Sequence, residues 1–439
     1  MIVAATGYAV IKHSFDRILQ DGTLNRLVGR KTAVILEADA GYLPLHWQAM
    51  SVRSDGLLVR GKPPRSLTEM QVSDVRASCS LKDLWKRKWT IERLEASQLQ
   101  AAFGQAAARQ LRSILPKEPP LEAQIDTNSP LKLEILEAIT RRTTIAWGES
   151  DGAVGMLRDV EARFSPSDRD LDCFARNGTF VQTGWPELRV QDIRLHYSQP
   201  RLAVHSAVFS LGRPDNIVCV GQLDFGNNSG MDLQFRAQQL PAEPFLTGFW
   251  KGKLEGIFDG ECRLQKRFQP NGMIAAMGEV HFTNATVHDV PTLKQVAAIT
   301  RHAQFERPQL HLMKAHYSWS GRRLDVAGVE VESKDLFRIE GDFSIENQTV
   351  EGRFRIGVVP DVAESLPGAR EKVFTESRGA YLWTSMQLSG PLSHPREDLK
   401  QRLVAAARDY FAKGFLSSVF KPGKEVIESL NALYKPAEH

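Results

Sequence analysis

Ser150 is the first residue whose neighbours suggest chemistry. Gly148-Glu149-Ser150-Asp151-Gly152 fits the G-x-S-x-G pattern of a nucleophile elbow, in which a strained strand-to-helix turn offers a serine to a base and an oxyanion hole. That chemistry needs a parallel α/β sheet with an acid and a histidine on later strands. The runs around Ser150 read instead as serial antiparallel strands, so Ser-Asp-Gly is read as a hairpin turn. The closest histidine pairs, His281 with His288 and His311 with His316, lack the same-face spacing and third donor of a metal centre, and are read as half-exposed strand residues. Neither a P-loop nor a dinucleotide glycine fingerprint is present, and the carboxylates fall mostly on the polar positions of strands. No enzyme activity, metal or cofactor is expected.

The remaining candidates concern surfaces. Lys and Arg number 56 against 52 Asp and Glu, a net charge of only +4, so no overall field draws the chain to nucleic acid. Locally, Lys82–Trp89 (KDLWKRKW) gathers Trp85, Lys86, Arg87, Lys88 and Trp89. Tryptophan favours headgroup depth and Lys/Arg favour anionic lipid, so this cluster reads as a membrane-surface contact. Four basic residues with one acid are few for firm electrostatic binding, so a solvated loop with its tryptophans tucked into the end of a sheet is the favoured alternative. Cys79, Cys173, Cys219 and Cys262 are widely scattered, without the close pairs of a zinc site or a disulfide framework, and are read as small buried side chains. Of the sequons at Asn177, Asn227, Asn284 and Asn347, the last is well explained by turn chemistry.

The elements that position these residues are strands. Composition is ordinary and globular, 42% hydrophobic and 25% charged, with ample material for a core. The dominant pattern has period two, the mark of strands with one apolar and one polar face. It is clearest from Phe337 to Val358. Phe337, Ile339, Phe343 and Ile345 share one face and Arg338, Glu340, Asp342, Ser344 and Glu346 the other. After a turn at Glu346–Thr349, Val350, Phe354, Ile356 and Val358 repeat the scheme, which predicts an antiparallel hairpin. Val52–Gly61 reads as a strand broken by an Asp55-Gly56 turn, and Met70–Leu81 alternates with one slip of phase near Asp74, as a bulge would give. Trp89–Phe103 fits a strand or a helix. Further strands are expected over Glu187–Tyr197, Leu202–Leu211, Asn216–Phe225, Met231–Ala237, Gly278–Val287, Leu310–Trp319 and Tyr381–Leu388, in serial order and without βαβ units.

Helical patterns are few. Gln105–Leu115 ends at Pro116 and, with Pro119 and Pro120, reads as a helix and linker; Pro291–His302 opens with proline as a short helix. Pro395–Phe420 places Leu399, Leu403, Ala406, Tyr410 and Phe411 at helical spacing, and Glu425–Tyr434 repeats this with Val426, Ile427, Leu430 and Leu433. Both are amphipathic and suit packing on a sheet, a membrane or a partner. Met1–Ile11 is apolar but shorter than the roughly 20 residues of a spanning helix. It is either the tail of a transmembrane or signal segment or a short buried element.

In order, Leu36–Gly61, Leu67–Leu81 and Trp89–Phe103, then Gly278–Asp289, a short helix, Phe305–Ser320, Leu324–Val358 and Leu388–Pro395 resemble the N- and C-terminal modules of AsmA-like bacterial envelope proteins, relatives of bridge-like lipid-transfer proteins. The resemblance implies a mainly β fold, with an elongated, curved antiparallel sheet forming a one-sided apolar groove. An N-terminal helix, a short inserted helix and C-terminal amphipathic helices complete it. The expected parts are a membrane-proximal segment (1–30), an N-terminal module (31–104), a helix and linker (105–120), a main sheet (121–394) and C-terminal helices (395–439). It implies a non-enzymatic protein of the Gram-negative-type periplasm, anchored in the inner membrane. Its implied role is to handle or transport phospholipid and support outer-membrane assembly and integrity, with envelope proteins as possible partners. On this reading Phe337, Ile339, Phe343, Ile345, Phe354 and Ile356 line the groove, where each buried CH2 of an acyl chain contributes about 0.8 kcal/mol. Alternation alone also fits a plain closed core, a passive periplasmic scaffold, or a sheet-rich carbohydrate-active or carbohydrate-binding protein, although no fixed coil repeat is visible.

Overall fold

The alternating runs form strands throughout the computed structural model, which describes residues 38–48, 51–61, 67–80, 88–112, 132–148, 154–167, 170–212, 214–226, 229–267 and 272–417. The fold is mainly β, with a mixed sheet and few helices. It divides into two compact units, residues 1–213 with 218–227, and residues 214–217 with 228–439.

Unit 1 holds β1 (Ala38–Tyr42), β2 (Leu45–Gln48), β3 (Ser51–Gly61), β4 (Leu67–Ser80), β5 (Lys88–Phe103), α1 (Gln105–Arg112), β6 (Lys132–Ile135) and β7 (Ala138–Trp147). There follow β8 (Gly155–Pro166), β9 (Asp170–Arg176), β10 (Thr179–Gln182), β11 (Leu188–Ser198), β12 (Arg201–Ser210) and most of β13 (Asn216–Asp224). The expected Asp55-Gly56 turn does not form. β3 runs straight through it, because β1 and β2 split at Leu43-Pro44 and pair antiparallel with its two halves. The slip of phase near Asp74 has a local cause: Asp74 takes φ +48° and drops out of the ladders to β3 and β5. Burial then changes parity, from Val72 before it to Val75, Ala77 and Cys79 after it.

Serial antiparallel pairing also fails at one place. β5 pairs in parallel with β6 and β7, while the neighbouring ladders are antiparallel. Parallel neighbours need a long crossover, and α1 follows β5 directly on the way to β6. Small residues let α1 approach the sheet: Ala102, Ala107, Ala108 and Ala146 form one buried cluster with Leu111 and Met156. The helix expected as part of a linker is thus packed within unit 1.

Unit 2 holds β14 (Gly230–Pro241), β15 (Leu254–Arg267), β16 (Ile274–Val287), α2 (Pro291–Thr300), β17 (Gln309–Leu310), β18 (Leu312–Ser320), β19 (Arg323–Ser333), β20 (Phe337–Glu346) and β21 (Thr349–Val358). Then come α3 (Pro360–Ser365), α4 (Ala369–Lys372), β22 (Glu376–Arg378), β23 (Tyr381–Pro391), β24 (Arg396–Glu397) and α5 (Leu399–Ser417). Eight long strands, β14, β15, β16, β18, β19, β20, β21 and β23, pair antiparallel in that order. The β20–β21 turn has Asn347 at φ +49° and Gln348 at φ +63°, the paired positive values of a primed hairpin turn that matches strand twist.

At one end of this sheet lies the main core of unit 2. Phe282, Phe337 and Val358 are buried there with Phe305, Leu336, Val362, Val373, Phe374 and Ala406, and the Phe305 and Phe337 rings stack at 6.0 Å. α2 and α3 each begin with proline, where a missing N–H costs no helical bond. α5 buries Ala406 and Ala407 and half-buries Leu399, Leu403 and Phe411, while Tyr410, expected on the same apolar stripe, is exposed. Residues 425–434 and Met1–Ile11 lie outside the described residues.

Desolvation sets the thiol chemistry. Burial pushes Cys173 up to about 11 and Cys219 up to about 12, so both stay protonated and poorly nucleophilic at neutral pH. In the folded protein at pH 8, mass-spectrometric alkylation should leave the buried Cys219 largely unmodified, and urea should release it. Rapid native labelling of Cys219 would contradict this burial.

Candidate functional site

The register of unit 2 assembles single residues into continuous rows. One row runs Phe235, Cys262, Gly278, Tyr317, Val326, Phe343, Gly352, Leu388 across all eight long strands. The row beside it runs Leu233, Leu264, Ala276, Trp319, Leu324, Ile345, Val350, Gly390. Seven strand spacings make each row about 34 Å long. Neither row holds a charged side chain. A third row on the same face, Phe258, Phe282, Met313, Val331, Ile339, Ile356, Thr384, reaches into the helix-covered core.

Aromatic rings floor the first two rows where glycines face them. A Cβ on Gly352 would stand 2.8 Å from a Phe354 ring carbon and 2.9 Å from Phe343 Cβ, so these rings lie close over the strand. Their centroids are 6.2 Å apart. The Tyr317 ring does the same at Gly278, where a Cβ would meet its hydroxyl at 2.9 Å, and that hydroxyl donates to Glu261 O at 3.4 Å. Away from the helices the face is less buried. Phe235, Tyr317, Phe343, Ile345, Phe354 and Leu388 are half-buried and Trp319 is 37% exposed, whereas Phe337 and Val358 at the helical end are buried.

The opposite face is wet and charged. Arg263 pairs with Asp232 at 2.6 Å, Arg236 with Glu261 at 2.7 Å, Lys314 with Glu330 at 2.8 Å and Arg355 with Glu376 at 2.6 Å. Arg338 meets Glu330 and Glu340, each at 2.9 Å. The Arg263 hydrogen bond holds the Asp232 carboxyl below the usual range. Partial burial and the bond to Glu332 push the Tyr381 phenol up to about 12. Exposed pairs of this kind contribute about 0–1 kcal/mol each; their larger effect is to keep this face in water.

Of the six residues expected to line an apolar surface, all share this face. Phe337, Ile339 and Ile356 belong to or pack on the covered core, while Phe343, Ile345 and Phe354 lie on the less buried part. Sequence reading did not join Phe235, Tyr317, Trp319, Val326 and Leu388 to them. Strand parity was visible for most, but pairing order was not, and a register shift between Val326 and Val329 hides the phase of β19. Trp85, Lys86 and Arg87 lie outside the described residues, and Lys88 and Trp89 open β5. Ser150 also lies outside them. Its flanking strands β7 and β8 pair antiparallel, with Trp147 opposite Gly155, so among the described residues the chain passes from strand to strand around it. His288 meets Glu255 at 3.2 Å and His316 meets Glu279 at 3.2 Å, while Lys334 N donates to His311 Nδ1 at 3.4 Å. Among the described residues no group of three metal-type donors gathers.

Unit 1 has a surface pocket of about 280 Å³ lined by Arg163, Asp172, Phe174, Arg194 and His205, among others. Its charges are already partnered. Arg163 pairs with Glu137, Arg194 with Asp192 at 3.0 Å, and Asp172 Oδ1 with His196 Nδ1 at 2.7 Å.

Comparison of the chain with protein-family models, curated proteins and solved structures gave no match. No described helix is long and apolar enough to cross a membrane.

The Asp172 bond favours the charged imidazole, so His196 is raised above its ordinary 6.5. Stabilisation from this pair is complete below the unfolded-chain value and fades as pH rises through the folded value. An NMR titration should place the His196 midpoint above 6.5, and Asp172→Asn should lower it. A midpoint indifferent to Asp172→Asn would contradict the assignment.

Proposed function

We propose that this chain is a non-enzymatic, AsmA-like lipid-handling protein. In this reading the part of the unit 2 apolar face around Phe343, Ile345 and Phe354 is the floor of a groove for phospholipid acyl chains. The observation that carries the reading is the pair of uncharged rows crossing eight strands, lying beyond the helix-covered end of the same face and backed by a face of ion pairs. A bilayer's hydrocarbon core is about 30 Å thick, so one acyl chain needs about half that length, less than either row. Each CH2 laid on the face contributes up to about 0.8 kcal/mol, while a headgroup stays in water. The resemblance of the order of sequence segments to that of AsmA-like proteins favours a periplasmic setting at the inner membrane and a role in supplying lipid for outer-membrane assembly and integrity.

The test is to charge the floor. Phe343→Glu and Phe354→Glu should abolish co-purification of phospholipid, measured by extraction and mass spectrometry. The urea midpoint should fall by no more than about 1 kcal/mol equivalent, since a carboxylate on an open face keeps its water. Global unfolding of both variants, which an uncompensated buried charge costing about 3–5 kcal/mol would bring, marks the face as closed core. A folded wild-type chain free of lipid would favour a scaffold for envelope complexes instead.

A further inference from the structure

The connection from β14 to β15 has two parts. Its base is fixed. Ala242 is buried and its N–H donates to Gly256 O at 2.9 Å, Phe245 packs edge-on against Phe258 at 5.7 Å, and His288 N–H donates to Lys253 O at 2.9 Å. Its tip, Thr247-Gly248-Phe249-Trp250-Lys251-Gly252-Lys253, is shaped by turns in which Lys251 N–H donates to Gly248 O at 3.3 Å and Lys253 N–H to Trp250 O at 3.0 Å. Gly248 at φ +57° and Gly252 at φ +70° bracket the aromatic pair in a conformation that costs glycine least. A Cβ at either glycine would meet no atom within 4 Å, so the tip stands clear of the sheet.

The tip keeps two large rings in water. Phe249 is 55% exposed and Trp250 46%, packed edge-on at 5.4 Å, with Lys253 Nζ 3.6 Å from the Phe249 ring centroid. From Leu246 to Leu254 the only charged residues are Lys251 and Lys253. Along the chain the nearest acids flank the base, Glu243 and Glu255, the latter held by His288 at 3.2 Å; Asp289, next to the His288 that bonds Lys253 O, is held by Lys294 at 2.8 Å.

We propose that this tip is a membrane-contact site that seats Phe249 and Trp250 at the headgroup level of an anionic bilayer, with Lys251 and Lys253 on the lipid phosphates. The indole of Trp250, apolar with one N–H, suits that depth, the Phe249 ring adds apolar surface buried at the acyl boundary, and each lysine near an anionic surface adds attraction. The complementarity is of charge as well as polarity, since the tip carries two cations and no anion. A standard protein interface buries about 800 Å² on each partner, more than a tip of seven residues presents. The inference is independent of the acyl-chain reading, because it concerns intact bilayers and a loop at the helix-covered end of unit 2.

The experiment is vesicle flotation of the full chain with phosphatidylcholine alone and with phosphatidylcholine mixed with phosphatidylglycerol. Wild type should float with the mixed vesicles, less so as salt rises. Lys251→Gln with Lys253→Gln should weaken that binding by about fivefold for each lysine, and Phe249→Ser with Trp250→Ser by at least about tenfold. Circular dichroism should be unchanged in both, since the tip carries no core contact. Failure of wild type to bind mixed vesicles overturns the proposal, and so does wild-type binding by both variants. Loss of flotation in these variants with lipid co-purification intact would support this site and leave the groove to be judged separately.

Discussion

A β-sheet with one polar and one apolar face must bring apolar material against the second face, and the organisation of unit 2 follows from that constraint. Each long strand alternates, and antiparallel pairing sets every apolar position beside another. At one end the chain meets the requirement itself, with α2, α3, α4, α5 and the turn at Phe305 closing over Phe282, Phe337 and Val358. Beyond that cover the same face continues with Phe343, Ile345, Phe354 and Leu388 half-buried by their own neighbours.

Side-chain size along the rows shapes that surface. Where Gly278 and Gly352 stand, the rings of Tyr317, Phe343 and Phe354 fill the space over the backbone, so the rows present ring surface instead of gaps. Bulges re-aim the strands without leaving polar groups stranded. Gly328 N–H donates to Asp342 Oδ1 at 2.7 Å and Gln239 N–H to Asp259 Oδ1 at 2.9 Å, both carboxylates lying on the wet face. The ion pairs there do little for stability singly; they fix which face remains in water.

Period two made many of the strands legible, though β8, β9 and β15 went unread, and for Phe337–Val358 it also gave faces, turn and partner, because that hairpin is local. The unread parts depend on distant residues. Parallel pairing of β5 with β7 follows from the packing of an alanine-rich helix, and no local alternation distinguishes it from antiparallel pairing. β3 runs through Asp55-Gly56 because two separate strands hold it, which outweighs a good turn dipeptide. The apolar rows were half visible: parity gave Phe343 and Phe354, but joining Phe235, Tyr317 and Leu388 to them needs the order of eight strands. The Phe249-Trp250 tip carried the same aromatic-and-lysine signal as Lys82–Trp89 and passed unread between two strands.

The central claim is that the rows around Phe343 and Phe354 face lipid. A photoreactive benzoylphenylalanine placed in turn at Phe343, Phe354 and, on the opposite face, Arg353 tests it directly when the full chain is irradiated with phospholipid and analysed by mass spectrometry. The account predicts lipid adducts at positions 343 and 354 and none at 353. Adducts equal at all three positions, or absent at 343 and 354 in a folded chain, would contradict it.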